Sequence, residues 1–303
     1  MNLRDLQYAL ALEKHGHFSR AAEACDVSQP TLSGQIRKLE DELGVQLFER
    51  AGRRVRATAA GAAVLAHARQ AVGAVDDLVR TAEAGRDPMR GTLRLGIITT
   101  LAPYLLPSLL PASQRRFPEM PLAISEEQTV RLIARVHAGE LDAAILATDH
   151  PAEDLATIEL FDEPLWLALP VNHPLARHDR IDPEQIDPAE LLLLTDGHCL
   201  RDQALDLCSR SQDSRRGKSD LRATSLETLR NLVEAGYGVT VLPEMALGNA
   251  RAANSGLVVR PFRDAAVHRR IRFMYRPHSP RRTALSALAE VLRAALPEPL
   301  RGK

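Results

Sequence analysis

The apolar residues of this 303-residue chain change their spacing near Gly91, and that change constrains the fold more than any single motif. Ahead of Gly91 they recur at three and four residues, the period of helices. Behind it, short apolar runs alternate with helical stretches, the pattern of an α/β fold whose helices cover the faces of a sheet. Single cores stop growing near about 250 residues, so two or three domains are expected. Lys plus Arg equals Asp plus Glu at 39 each, which excludes a polycation that binds nucleic acid through bulk charge. Any DNA contact must come from local clusters.

No basic-then-apolar leader opens the chain, and no apolar run approaches the roughly 20 residues that span a bilayer. A soluble cytoplasmic protein without membrane partners is expected. Three cysteines, Cys25, Cys199 and Cys208, are too few and odd in number for a secreted disulfide framework. No internal repeat, cofactor motif or metal-ligand cluster is evident, so no cofactor and no metal are expected.

Leu3, Leu6 and Leu10 mark a first helix that ends at Gly16. Ser19 is expected to cap a short second helix carrying Ala21 and Ala22, and Cys25-Asp26-Val27 reads as a turn. Ser28 caps a third helix with Pro30 in its first turn and an apolar stripe of Leu32, Ile36, Leu39 and Leu43 ending before Gly44. The opposite face, Gln29, Pro30, Ser33, Gly34 and Arg37, is small and polar, which suits a DNA major groove about 12 Å wide. Two strand-like segments, Val45 to Phe48 and Val55 to Thr58, flank Ala51-Gly52, with Arg50, Arg53, Arg54 and Arg56 close together. They read as a wing that can hold phosphates. A plain three-helix domain with a solvated hairpin fits the helical pattern alone, and Cys25 in the turn reads as a small buried apolar residue.

From Thr58 to about Ala84 the chain is Ala-rich, with Leu65, Ala68, Val72, Val75 and Val79 on one seam. Such a helix spans about 39 Å. Its seam is buried either in a dimer or against the C-terminal region, and a dimer is the simpler solution. Gly85 to Pro88 reads as a hinge. Beyond it, strands are expected at Thr92 to Ile98, Leu122 to Ser125, Glu140 to Leu146, Leu165 to Leu169, Leu191 to Leu194, Val239 to Leu242 and Ile271 to Tyr275. Helices are expected at Pro103 to Phe117, Val130 to Ala138, Leu226 to Glu234 and Ala284 to Ala295. Hydroxyl residues stand at several strand-to-helix junctions, Thr99-Thr100, Thr129 and Thr224-Ser225, where free N–H groups attract polar ligands; each alone reads more readily as an ordinary N-cap, and it is their combination with a cysteine that points to a site.

Cys199 stands at a fourth such junction, beside His198. At a helix N-terminus next to a histidine its thiol should be acidified. A helix running from Cys199 to Cys208 would hold the two Cα atoms about 13.5 Å apart, whereas a disulfide tolerates about 7 Å. The pair is then either two inert core residues or a segment that must unwind to join.

The ordered set Phe18-Ser19-Arg20-Ala21-Ala22, Ser28-Gln29-Pro30-Thr31-Leu32-Ser33 and Leu43-Gly44-Val45-Gln46-Leu47-Phe48-Glu49-Arg50 resembles the winged helix-turn-helix of LysR-type transcription regulators. Gly197-His198-Cys199-Leu200-Arg201-Asp202-Gln203 with Cys208, and Arg222-Ala223-Thr224-Ser225-Leu226-Glu227-Thr228-Leu229-Arg230-Asn231, resemble the peroxide-sensing members of that family. The similarity runs along nearly the whole chain. It implies an all-α winged helix-turn-helix domain at 1–58 with the motif at 18–37, a linker and dimerisation helix with hinge at 59–87, and an α/β regulatory domain at 88–303. That last domain would comprise two Rossmann-like subdomains, similar to periplasmic binding proteins, at about 88–163 with 266–303 and at about 164–265.

The same resemblance implies residue roles. Gln29, Pro30, Ser33 and Arg37 face bases, and Arg50 and Arg53 hold phosphates of double-stranded DNA. Cys199 becomes the peroxidatic and Cys208 the resolving cysteine of a reversible disulfide, while Thr100, Thr129 and His198 hold hydrogen peroxide. Arg269 stabilises the thiolate, with Arg270 the alternative, because the 246–268 stretch departs from the family pattern. Closing so short a loop contributes only about 2.7 kcal/mol on the chain-entropy view, so the redox step itself must drive any refolding. Implied partners are RNA polymerase, a glutaredoxin or thioredoxin-type reductant, and further copies of the chain in a dimer of dimers acting as an activator. Two other functions fit parts of the pattern: a LysR-type regulator whose cleft binds a small organic effector, and a catalytic thiol peroxidase. The second leaves the winged helix and rod unexplained, so a regulator rather than an enzyme is expected.

Overall fold

Capping chemistry sets the first helices. Asn2 and Asp5 exchange side-chain and backbone hydrogen bonds at the start of α1 (Leu3–His15), and Gly16, with φ 64°, ends it in the left-handed conformation that glycine adopts freely. Helix α2 (Phe18–Ala24) begins earlier than expected: the Ala21 amide already bonds the His17 carbonyl at 3.0 Å, so His17 is the cap and Ser19 lies inside the first turn. Ser28 accepts from the Thr31 amide to start α3 (Gln29–Leu43), and Gly44 closes it. The turn between α2 and α3 places Asp26 at φ 54°, a conformation that aspartate tolerates better than most residues.

The computed structural model describes residues 1–51, 54–84, 87–148, 154–208, 222–248, 256–297 and 300. Within them the wing strands β1 (Phe48–Ala51) and β2 (Arg54–Ala57) pair antiparallel, with Phe48 opposite Ala57. The first strand starts later than its sequence pattern suggests, because Glu40 Oε1 accepts from the amides of Leu47 and Phe48 and holds the preceding residues against α3. Helix α4 (Ala59–Ala84) follows, capped by the Thr58 hydroxyl at 2.8 Å from the Gly61 amide. Gly61 is required there, since a Cβ would lie 2.0 Å from the Leu47 carbonyl oxygen. Leu65 and Ala68 on its seam are buried, whereas Val75 and Leu78 are exposed; the side chain of Val79 lies outside the described residues, as do Gly85 and Arg86 of the expected hinge.

Chain contacts divide the molecule into two compact units, Met1–Arg86 with His137–Glu140, and Asp87–Val136 with Leu141–Lys303. The second unit contains, in order, β3 (Leu93–Ile98), α5 (Ala102–Arg116), β4 (Leu122–Glu127), α6 (Thr129–His137), β5 (Ala143–Leu146), β6 (Ala156–Pro170) and β7 (Leu193–Leu194). These are followed by α7 (Cys199–Cys208), β8 (Arg222–Ala223), α8 (Leu226–Glu234), β9 (Thr240–Pro243), β10 (Leu257–Pro261), β11 (His268–Tyr275) and α9 (Arg282–Ala295).

Strand β6 organises this unit. Its first half pairs antiparallel with β11, which continues through β5 and β3 to β4, and its second half pairs with β9 and β10. The pairing changes partner between Pro164 and Leu165. Two separate cores result. Leu95, Ile97, Phe273 and Leu288 belong to one, and Leu167, Leu192, Val233 and Val241 to the other. The molecule therefore has the expected fold class, a helical unit with a two-stranded wing and a long helix, followed by an α/β unit with two cores.

Candidate functional site

Cys199 is the first residue of α7 and a free thiol, packed on the first core. Leu200 and Ala204, on the other face of the same helix, are buried in the second core. The helix is thus anchored between the lobes by its own period. Its backbone is helical through Cys208, whose side chain lies outside the described residues. Nine helical rises separate the two Cα atoms by about 13.5 Å, too far for a disulfide while α7 persists.

A threonine hydroxyl, an arginine and backbone amides act on the sulfur, and a second threonine is bound to that arginine. Arg269, on β11, is fully buried and donates from Nη1 to Thr100 Oγ1 at 3.0 Å and from Nη2 to the Thr100 carbonyl at 3.2 Å. Its Nε and Nη2 bind Glu163 Oε2 at 2.9 and 2.8 Å. Arg270, its neighbour in sequence, faces outward toward Asp162 and Glu159 and is half exposed. Thr129, the first residue of α6, is buried, and its hydroxyl has no conventional hydrogen-bond partner. Its interaction with the Cys199 sulfur, together with the Arg269 charge and the amides of Ala147 and Leu200, favours the thiolate.

The expectation of an acidified thiol is nevertheless corrected by this fold. Burial pushes the Cys199 thiol above its ordinary value, and desolvation outweighs the groups that pull it down. Nor does His198 supply a positive charge. It is 5% exposed, and burial lowers its pKa, so it is neutral at pH 7. Its Nδ1 lies 3.2 Å from Thr99 Oγ1 and its Nε2 lies 3.3 Å from Gln128 Nε2. Gln128 Nε2 is a donor, which makes His198 Nε2 the acceptor and puts the ring proton on Nδ1. Both ring nitrogens are thereby occupied away from the sulfur.

Three participants were not singled out in the sequence. Gln128 also donates to the Asp196 carbonyl, and its side chain lies where a Cβ on Gly197 would be, 2.9 Å from Gln128 Oε1. Gly197, at φ 93°, is therefore held both by conformation and by space. Gln203, one turn beyond Cys199, donates to the Ala147 carbonyl at 2.6 Å and leaves Oε1 buried without a partner. Glu163 is the third; an acidic residue at the seam of a strand otherwise apolar from Leu165 onward was the available signal.

In the first unit Gln29, Pro30, Gly34 and Arg37 are exposed on α3 and Ser33 is half-buried beside them. A Cβ on Gly34 would meet nothing within 4 Å, so this face is open. Arg54 and Arg56 are exposed on the wing, while Arg53 and the side chain of Arg50 lie outside the described residues. Cys25 is half-buried against the helical core. Among the described residues no group of His, Cys, Asp and Glu is placed to hold a metal ion, and no helix is long and apolar enough to cross a membrane.

Residues 3–62 match the bacterial regulatory helix-turn-helix protein, lysR family, and residues 86–297 match the LysR substrate binding domain. The chain belongs to the LysR family of regulators. Within it the resemblance is to OxyR: the chain is 45% identical over 97% of its length to the hydrogen peroxide-inducible genes activator of Dickeya chrysanthemi, covering 95% of that protein. The full-length structure of an OxyR variant from Pseudomonas aeruginosa is 39% identical, with a TM-score of 0.77 over 97% of this chain and 95% of the other. An H2O2-bound OxyR mutant of Corynebacterium glutamicum is 34% identical, with a TM-score of 0.66 over 97% and 92%.

Proposed function

We propose that this chain is a DNA-binding transcriptional activator that senses hydrogen peroxide through a reversible Cys199–Cys208 disulfide. The observation that carries the proposal is a thiol at the start of a helix that must unwind before its partner cysteine can be reached. Around that thiol, Arg269, Thr129 and two amides act on charge as it forms on sulfur. In the reading offered here, Thr100, Thr129 and His198 frame the peroxide. The Thr129 hydroxyl, which faces the sulfur and has no other partner, bonds the peroxide, Thr100 is held by Arg269, and His198 braces the junction from behind. Arg269, not Arg270, stabilises the thiolate.

The Cys199 thiolate attacks one peroxide oxygen, the O–O bond breaks, and hydroxide leaves and takes up a proton as water. Cys199 is then a sulfenic acid. The Cys208 thiolate attacks that sulfur, the S–S bond forms and a second water leaves. Two thiols are oxidised and one peroxide is reduced to two waters. A dithiol reductant of the glutaredoxin or thioredoxin type resets the pair by exchange. Because Leu200 and Ala204 are seated in the second core, unwinding α7 draws them out, and burying one leucine contributes about 1.5–3 kcal/mol. Oxidation therefore changes the packing between lobes rather than one side chain.

On the DNA side, Gln29, Pro30, Ser33 and Arg37 read bases in the major groove while Arg50 and Arg53 hold phosphates. The exposed Val75 and Leu78 on α4 support association of copies, ultimately as a dimer of dimers that contacts RNA polymerase. The oxidation is a signal made once per activation rather than a turnover, so the protein acts as a cytoplasmic regulator and not as a peroxidase. Thiol mapping by mass spectrometry before and after brief peroxide exposure tests the proposal. A Cys199–Cys208 bond at low peroxide is expected, and thiols that stay free under those conditions contradict it.

A further inference from the structure

We propose that Glu163 is a positioning residue that sets the reactivity of Cys199 through Arg269. This rests on the reading of Cys199 as the peroxide-reactive thiol. Glu163 and Arg269 face each other across β6 and β11, and both side chains have no exposure. One carboxylate oxygen, Oε2, takes both Nε and Nη2 of the guanidinium, which leaves Nη1 aimed at Thr100 Oγ1. The other oxygen, Oε1, accepts from the Met245 amide at 2.8 Å. Neither oxygen is free to turn, so the direction of the arginine fork is fixed from behind.

The position in the fold matters as much as the pairing. Glu163 stands two residues before β6 exchanges β11 for β9 at Leu165, and Met245 lies in the short turn after β9. The carboxylate thus ties the strand, its neighbour and the following turn to one guanidinium. It also cancels part of the field that Arg269 exerts on the sulfur. In a buried setting that cancellation is large, because water does not screen it. A regulator needs a thiol that is responsive yet not oxidised by every trace of oxidant, and an arginine discounted by a carboxylate meets that need.

The test is the pH profile of Cys199 alkylation by iodoacetamide in the full-length protein with Cys25 and Cys208 replaced by Ser. Among the described residues, the charged and titratable groups that bear on the site are His198 on the loop before α7, Arg269 on β11, Glu163 on β6, and Tyr104 on α5, which feels the Arg269 charge and lies beside Glu227 and Arg230 of α8. The tyrosine is pushed to about 12 and His198 is depressed, so both stay outside the thiol window. Glu163→Gln keeps the shape and removes the negative charge; the midpoint should fall by about one pH unit, with alkylation near neutral pH about tenfold faster. In an Arg269→Gln background the midpoint should start higher and the same change should lower it by clearly less, because only the direct field of the carboxylate is then removed. A fall of undiminished size without Arg269 would mean that Glu163 does not act through the arginine, and it overturns the proposal, as does an unmoved midpoint in Glu163→Gln. If Glu163→Gln does not fold, Glu163→Asp withdraws the carboxylate by one methylene and should lower the midpoint by a smaller amount; no fall overturns the proposal. Peroxide oxidation of the otherwise unmodified chain is followed in parallel. A Cys199 inert to peroxide there overturns the sensing reading and this one with it, whereas a reactive Cys199 with no Glu163 effect overturns this one alone.

Discussion

Cys25 and Cys199 are both half-buried thiols pushed above the ordinary cysteine pKa by burial, and there the likeness ends. Beside Cys25 the next influence is Asp26, which raises the pKa further, and the opposing charge is Arg4, an exposed residue. Beside Cys199 the groups next in influence after burial favour the thiolate: a fully buried arginine, a buried hydroxyl and two backbone amides. The direction of the burial effect is the same for both thiols. What separates them is whether the surroundings are already arranged for negative charge, which is what a reaction through thiolate requires. Only Cys199, moreover, opens a helix on which a second cysteine lies.

The comparison breaks most visibly through the sulfurs themselves. Cys199→Ser should retain DNA binding and lose the whole peroxide-dependent change in transcription, whereas Cys25→Ser should leave the response intact; promoter assays across a peroxide titration read both. Next in size is the contrast between the two arginines. Arg269→Gln leaves Glu163 buried without its partner and should lower stability by about 3–5 kcal/mol in urea unfolding, whereas Arg4→Gln on the exposed face should stay within about 0.5 kcal/mol. Thr129→Val removes a hydroxyl with no conventional partner, so stability should hold or rise slightly. Oxidation of Cys199 should slow about fivefold, the worth of one hydrogen bond of about 1 kcal/mol, as read by stopped-flow thiol loss.

The smallest expected effect concerns pH. Burial depresses the His198 pKa in the folded protein, so the unfolded chain binds the proton more readily. Its contribution to stability is present above the unfolded value of about 6.5 and is lost as pH falls through and below it. Unfolding midpoints compared at pH 7.5 and 5.5 should show this loss, and His198→Gln should reduce it.

Much of the scaffold is legible because local chemistry and burial agree. Helix α8 occupies Leu226–Glu234 as its spacing indicates, with Ser225 as cap and Leu226, Leu229 and Val233 buried. Gly16 and Gly44 stop helices where the apolar stripes stop. Legibility fails where long-range pairing decides. Only Leu165 to Leu169 of β6 reads as a strand, yet the strand begins at Ala156, because its first four residues are exposed or only half-buried against β11 and the stretch carries charged Glu159, Asp162 and Glu163. Strand β10 was missed for the same reason; it is an edge strand whose residues 258–261 are only half-buried against β6.

The site shows the same division. Cys199, Thr129 and Arg269 stand far apart in sequence, and only the sheet brings them together. What composition and spacing could not show was the sign of the burial effect on the thiol. A helix N-terminus and a histidine neighbour argue for acidity in isolation. In the fold the histidine is neutral and turned toward Thr99 and Gln128, and desolvation dominates.

The central claim is that a bond between Cys199 and Cys208 and an intact α7 exclude one another. Hydrogen exchange of the peptides covering residues 199–208, followed by mass spectrometry in the reduced protein and after stoichiometric peroxide, tests it directly. The account predicts protected amides in the reduced form and rapid exchange once the bond is mapped. A mapped bond with protection unchanged would contradict it.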